Sequence, residues 1–186
     1  MHTGKTILEG VMIIEPDVFT DERGLFMETF REQRYQELLG LAAERFVQDN
    51  LSWSKKGVLR GLHYQASPFG QAKLVQVLQG KVLDVAVDIR FGSPTFGQHV
   101  AVELSAENHK QLFIPVGFAH GFAVLSDSAL FSYKCTHVYS QEHERGVLWN
   151  DPALDIDWKV ESPIVSEKDQ KHPLLAKITE ESRSNS

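Results

Sequence analysis

From Arg45 onward the chain alternates apolar and polar side chains in short runs. Phe46–Ser54, Val58–Gln65, Leu74–Gln79, Val82–Arg90, His99–Leu104 and Gln111–Ile114 are rich in Val, Ile, Leu and aromatics. Phe118–Leu125, Ala129–Tyr139 and Gly146–Trp149 continue the series. A period of two places successive side chains on opposite faces, the pattern of strands with one buried side. Turn signals separate the runs at Gln79-Gly80, Gly92-Ser-Pro-Thr, Ser105-Ala-Glu-Asn and Ser126-Asp-Ser. Closely spaced strands punctuated this way predict an antiparallel sandwich or barrel. Ahead of Arg45, short strands are expected over 9–16, ended by Pro16, and over Leu25–Phe30, after a turn at Asp21-Glu-Arg-Gly24. The period changes once. Tyr35, Leu38, Leu39 and Ala42 recur at helical spacing, which predicts a helix over Arg31–Leu41 with Gly40 as an early stop.

No repeat or linker interrupts this pattern, so a single domain over 1–179 is expected, followed by a polar tail, 180–186, expected to be disordered. The net charge of −6 comes with no basic block, which argues against a nucleic-acid partner. No apolar run approaches the roughly 20 residues that span a bilayer, and the first residues lack a signal peptide's apolar stretch. A cytoplasmic protein is the expectation. The single Cys135 fits a reducing compartment and, in an aromatic-rich strand, reads as a buried structural thiol.

Candidate chemistry concentrates between Arg60 and Lys73. His63 and Gln65 share a strand face with Gly61, and Lys73 aligns with Val75 and Val77, aimed inward among aliphatic side chains. An inward ammonium is costly unless an anion meets it. Taken singly, each of these residues reads as surface charge or core; together they suggest a pocket. Alternation alone puts Arg60 on the face opposite His63, unless a bulge at Gly61 intervenes. The second informative stretch is Pro115-Val-Gly-Phe-Ala-His120-Gly-Phe, in which Pro and Gly turn the chain into a strand carrying His120 and Phe122 on one face.

The spacing Pro-x-Gly-x-x-His resembles the second motif of the cupin superfamily, and Gly57, His63, Gln65, Lys73 and Gly80 resemble the first. That resemblance implies an all-β, cupin-type double-sheet jelly roll with a few short peripheral helices. Metal-binding cupins place His, His, Glu and His where this chain has His63, Gln65, Lys73 and His120. A protonated lysine repels a divalent ion, so no metal is expected, and acid–base work is.

Longer motifs narrow the resemblance. Phe46-Val-Gln-Asp-Asn50, Gly57-Val-Leu-Arg-Gly-Leu-His-Tyr-Gln65, Asp88-Ile-Arg-Phe-Gly-Ser-Pro-Thr-Phe-Gly97 and Ile114–Phe122 are similar to the dTDP-4-dehydrorhamnose 3,5-epimerase family. So are Tyr133-Lys-Cys-Thr, Glu142-His-Glu-Arg145, Trp149-Asn-Asp-Pro152 and Ser166-Glu-Lys-Asp169. The resemblance implies an isomerase that inverts C3 and C5 of dTDP-4-dehydro-6-deoxy-D-glucose through enolates, in dTDP-L-rhamnose biosynthesis. It makes His63 the base, Asp169 its orienting carboxylate, Tyr133 the proton donor, Lys73 the enolate stabiliser and His120 an assistant at the ketone. It assigns substrate binding to Arg23, Phe26, Glu28, Gln48, Asp49, Asn50, Arg60, Lys73, His120, Tyr139, Glu144 and Lys168. It also implies a homodimer that exchanges N-terminal strands. His137 departs from the family pattern, which more often has Asp there. Four alternatives stay open: a C3-only epimerase, a 3,4-ketoisomerase on a related sugar nucleotide, a non-catalytic sugar-nucleotide-binding cupin, and a metal-dependent dioxygenase.

Overall fold

The computed structural model describes residues 1–40 and 45–178. Four short strands open the chain: β1 (His2–Lys5), β2 (Met12–Glu15), β3 (Val18–Asp21) and β4 (Gly24–Met27). The helix α1 (Glu32–Leu39) follows, then β5 (Gln48–Lys55), β6 (Val58–Gln65), β7 (Lys73–Gln79) and β8 (Lys81–Asp88). Next come β9 (His99–Ser105), β10 (Gln111–Ile114), β11 (Phe118–Val124) and β12 (Ser128–Cys135). Two short strands, β13 (Glu144–Gly146) and β14 (Ile164–Val165), lie in the last third. The expected helix residues Leu41 and Ala42, and the tail 180–186, lie outside the described residues. Among the described residues no helix is long and apolar enough to cross a membrane.

The mostly-β, double-sheet expectation holds. One sheet runs β1-β2-β10-β7-β12-β5 and the other β13-β6-β11-β8-β9, with β14 pairing beside β6. Their facing sides form the main core, with Val75, Val77, Leu112, Ile114 and Phe131 from the first sheet. Val82, Ala86, Leu104, Phe118, Phe122 and Val124 come from the second. Phe122 stacks on Phe131 across the interface at 4.2 Å between ring centroids. Each aliphatic or Phe side chain buried here is worth about 1.5–3 kcal/mol relative to exposure. The C-terminal third covers the outer side of the second sheet, where Val147, Leu154, Trp158 and Leu175 pack on Leu59, Leu62, Val85 and Val87. The helix closes a smaller cluster on the first sheet by burying Tyr35 against Ile14, Leu74 and Phe113. It ends where Gly40 adopts a left-handed conformation and its N–H caps the Gln36 carbonyl, as the early glycine stop predicts.

Several boundaries differ from the sequence expectation. The strand expected to run from Ala129 to Tyr139 ends at Cys135, because Thr136 turns to hydrogen-bond Ala72 through both its backbone N–H and its hydroxyl. The strand expected at Gly146–Trp149 lies earlier, at Glu144–Gly146. The one expected over Leu25–Phe30 is Gly24–Met27, half of a hairpin with β3 that the hydropathy pattern did not signal. Among the described residues that hairpin joins neither sheet, and Phe19, Leu25 and Phe26 stand exposed on it.

Candidate active site

Strand register places the candidate residues. On β12, Tyr133 lies opposite Asn50 of β5 and Val75 of β7, and Cys135 opposite Gln48 and Lys73. Directly opposed residues share a face, and Val75 is fully buried between the sheets. Lys73, Tyr133, Gln48 and Asn50 therefore project to the interior side. Burial lowers the pKa of the Lys73 ammonium, against the raising influence of Cys135, Asp84 and Glu144. Burial raises the Tyr133 phenol, which holds its proton more firmly at neutral pH. Cys135 is a buried free thiol, as expected.

On the second sheet, His63 of β6 is paired with His120 of β11, and Arg60 with Phe122. Three steps on β6 thus match two on β11, the count of a β-bulge. Gly61 provides it, at φ 135°. A Cβ there would lie 2.5 Å from Gly121 Cα and 3.0 Å from the His120 carbonyl oxygen, so the two backbones approach as only glycine permits. The extra residue brings Arg60 to the face of His63, against simple alternation.

Each of the two histidines meets a carboxylate. His63 Nε2 lies 2.7 Å from Asp169 Oδ1, and Asp169 Oδ2 accepts the Gly61 N–H at 3.2 Å. Asp169 is delivered by the chain after β14, which pairs parallel to β6, and its own N–H is held by Ser166 Oγ at 3.1 Å. Burial works to raise the Asp169 carboxyl; the imidazoles of His172 and His63 and the Gly61 N–H outweigh it and hold the group well below the usual carboxylate range. His120 Nε2 lies 2.9 Å from Asp84 Oδ2, with Asp84 fully buried. Burial lowers the His120 pKa although Asp84 opposes the shift. Sequence reasoning missed Asp84; its signal was an acid in the apolar run Val-Leu-Asp-Val-Ala-Val. It also missed His172, whose Nε2 lies 3.6 Å from Asp169 Oδ1.

A cavity of about 310 Å³ brings together His63, Lys73, Tyr133, Gln48, Asn50, Tyr139 and Glu144. A neighbouring one of about 370 Å³ also reaches His63 and Glu144 and adds Arg60, Lys168 and Asp169. The Tyr139 hydroxyl donates to Glu144 Oε2 at 2.6 Å, and Lys168 pairs with the same oxygen. Asp49 is not brought in. It alternates away from Gln48 and Asn50 and pairs with Lys134 at 2.9 Å on the outer face. Arg23 and Phe26 sit on the exposed β3–β4 hairpin, and Glu28 pairs with Arg34 at 3.1 Å; the chain alone brings none of the three to the cavity.

The four cupin ligand positions do not suit a metal. Gln65 uses its amide structurally, donating to the Phe69 carbonyl at 2.8 Å and accepting the Ser140 N–H at 2.6 Å. Lys73 offers a cation, and the His120 Nε2 already faces Asp84. One free imidazole is too few ligands.

The family model for dTDP-4-dehydrorhamnose 3,5-epimerase matches residues 5–177. The chain belongs to that family. The dTDP-4-dehydrorhamnose 3,5-epimerase of Shigella flexneri is 57% identical over 169 residues, covering 91% of this chain and 93% of the relative. Among solved family structures, the dTDP-6-deoxy-D-glucose-3,5-epimerase of Legionella pneumophila Philadelphia 1, in complex with dTDP-4-keto-L-rhamnose, superposes with a TM-score of 0.91. It is 54% identical, with 95% of this chain and 96% of that one covered. A dTDP-4-dehydrorhamnose 3-epimerase of Streptomyces niveus is 40% identical, covering 91% of this chain and 81% of the relative.

Proposed function

We propose that the protein inverts C3 and C5 of dTDP-4-dehydro-6-deoxy-D-glucose, giving dTDP-4-dehydro-L-rhamnose for dTDP-L-rhamnose biosynthesis. The observation that carries the reading is the 2.7 Å contact between His63 and Asp169 beside a cavity that also holds Tyr133 and Lys73. Both C3–H and C5–H are α to the C4 ketone, so loss of either proton gives an enolate. An ionised carboxylate only accepts hydrogen bonds, so His63 carries its proton on Nε2 and keeps the Nδ1 lone pair for abstraction. Charge then develops on the ketone oxygen. The Lys73 ammonium meets it in a partly dry site, where a fixed cation acts more strongly than in water. Tyr133, projecting from the opposite sheet, returns a proton to the other face and regains its own from solvent, to which His63 gives up the proton it took. Repetition at the second carbon completes the reaction without metal or organic cofactor.

The diphosphate is assigned to Arg60 and Lys168, and the thymine to an aromatic contact with Tyr139. His120, fixed by Asp84, backs the ketone. The two sheets are read as halves of a cupin-type jelly roll. A second copy of the chain is the partner for the β3–β4 hairpin, whose exposed Phe19, Leu25 and Phe26 lack cover within one chain. That docking would carry Arg23, Phe26 and Glu28 to the neighbouring site in a homodimer, the whole acting as a cytoplasmic enzyme.

Incubation of the substrate in deuterated water, followed by NMR, tests the activity. Deuterium at both C3 and C5 with inversion is expected. Exchange confined to C3 would place the chain with 3-epimerases such as the Streptomyces niveus relative. A ketone moved to C3 would mean a ketoisomerase, and binding without exchange a non-catalytic cupin.

A further inference from the structure

Besides His63, Asp169 meets a second imidazole, that of His172, which takes no proton from substrate in the epimerase reading. His172 packs beside Gly146, where an added Cβ would lie 2.4 Å from its Nε2. Its ring stands edge-on to that of His63, with centroids 5.6 Å apart and planes at 78°. The Nε2 atom is buried and, among the described residues, has no hydrogen-bond partner. Asp169 Oδ1 lies 3.6 Å away, near enough for the imidazole to help hold that carboxyl low but longer than a well-formed hydrogen bond. A buried polar atom with so poor a partner is costly, so a group that satisfies it is favoured.

One donor atom from each of His63, Asp169 and His172 lies within 4.8 Å of the others. Two imidazoles and a carboxylate make up a common three-ligand zinc set. Zinc bound to N and O at about 2.0–2.2 Å in tetrahedral geometry needs its ligand atoms roughly 3.3–3.5 Å apart. The 2.7 Å pair must open by somewhat more than half an ångström, and the 3.6 Å pair close slightly.

We propose that His63, Asp169 and His172 form an inhibitory site for zinc or a similar borderline divalent cation. This trio is distinct from the cupin ligand positions, of which it includes only His63. The consequence for turnover, which rests on the epimerase reading, follows from the imidazole's two nitrogens. The ion takes the place of the proton on His63 Nε2, and a neutral ring bound there carries its proton on Nδ1. The lone pair that abstracts C3–H and C5–H is then gone. Asp169 supplies the anionic ligand and His172 fills the third position, leaving the fourth to water. Lys73, which lines a cavity with His63, and Arg60 and Lys168 beside the neighbouring one weaken the field a cation meets, so the affinity falls below that of a dedicated zinc centre. Magnesium prefers oxygen ligands and keeps its waters, so it is excluded.

Full-length protein, freed of metal with chelator, is dialysed against zinc or magnesium and its bound metal measured; cobalt serves as a visible-absorption probe of tetrahedral ligation. One zinc per chain, a tetrahedral cobalt spectrum and no retained magnesium are expected. Zinc should inhibit turnover, and chelator should restore it. His172→Asn, with His172→Gln as a second variant if the first melts early, should weaken zinc binding and zinc inhibition by at least about tenfold, each measured against the same variant's own metal-free state. Absence of stoichiometric zinc overturns the site. So does bound zinc that leaves turnover intact, or an inhibition constant unchanged in both His172 variants. If the metal-free protein turns over no dTDP-keto-sugar, the epimerase reading falls, while the dialysis and cobalt measurements still decide whether the trio binds metal.

Discussion

His63 and His120 are register partners on adjacent strands, yet each turns to a different carboxylate: Asp169 at 2.7 Å and Asp84 at 2.9 Å. The two pairs differ in exposure. The His63 side chain is 29% exposed and faces a cavity, whereas that of His120 is 8% exposed. A base must reach substrate, so the first pair is the one suited to proton transfer. Replacing Asp169 by Asn should lower kcat by about 10²-fold or more, because an amide can donate to Nε2 and turn the lone pair to the wrong nitrogen. Asp84→Asn should act more on stability and KM. Steady-state kinetics on both variants, with thermal melts, measure the difference; equal losses in kcat would contradict the division.

His63→Ala should abolish deuterium exchange at both C3 and C5 while leaving nucleotide affinity nearly unchanged. A positioned general base contributes about 10²–10⁴ in rate, well above the noise of an NMR exchange assay. Titration calorimetry with dTDP supplies the affinity. Residual exchange at one carbon would require a second base.

Tyr133→Phe should still wash substrate protons into solvent but make little inverted product. Exchange reports abstraction and inversion reports delivery from the far face, so the two readouts separate. Inversion at the wild-type rate would reduce Tyr133 to a packing residue. A block at C5 alone would point to separate donors, with His137 the first residue to replace.

Legibility from sequence followed the kind of constraint. The period of two alone put His120 and Phe122 of β11 on one face and Lys73 of β7 on the face of Val75 and Val77. Arg60 could not be assigned, because its face depends on a bulge set by how closely Gly61 approaches Gly121. The end of β12 was hidden for a different reason. Tyr139 and Ser140 continue the apolar–polar rhythm, but their N–H groups bond the Gln48 and Gln65 side chains instead of a strand. Asp84 was marked by its apolar run, but its partner His120 lies 36 residues away, and the turn that sets His172 against Asp169 three residues earlier has no apolar–polar rhythm to reveal it.

Gly61→Ala tests that bulge. A methyl 2.5 Å from Gly121 Cα must push the strands apart, and φ of 135° is unfavourable for any L side chain. The variant should melt several degrees lower and lose most activity, since His63 and the N–H that holds Asp169 both move. Wild-type activity with an unchanged melt would show the register to be unnecessary.

Stability should fall in acid partly through Asp88. Burial alone would raise this carboxyl, but Arg90 at 2.7 Å and the Ser93 and Thr95 hydroxyls at 2.6 Å hold it well below the usual range. A native pKa below the unfolded value of about 3.9 gives stabilisation that is complete above that value. It is lost as pH falls toward the native pKa. Urea melts from pH 7 to pH 3 should show that loss in the wild type. Asp88→Asn should lower stability by about 2 kcal/mol at neutral pH and flatten the acid slope; an unchanged slope would assign it to other carboxylates.

The contact between His63 and Asp169 joins positions 106 residues apart. Its carboxylate follows β14, which pairs beside β6, within the C-terminal third that covers the outer side of the second sheet. During synthesis, then, every strand of the first sheet and most of the second can leave the ribosome before the base has its partner. A nascent chain halted before residue 165 would lack Asp169 and be silent, and activity would switch on only once that residue has emerged and docked.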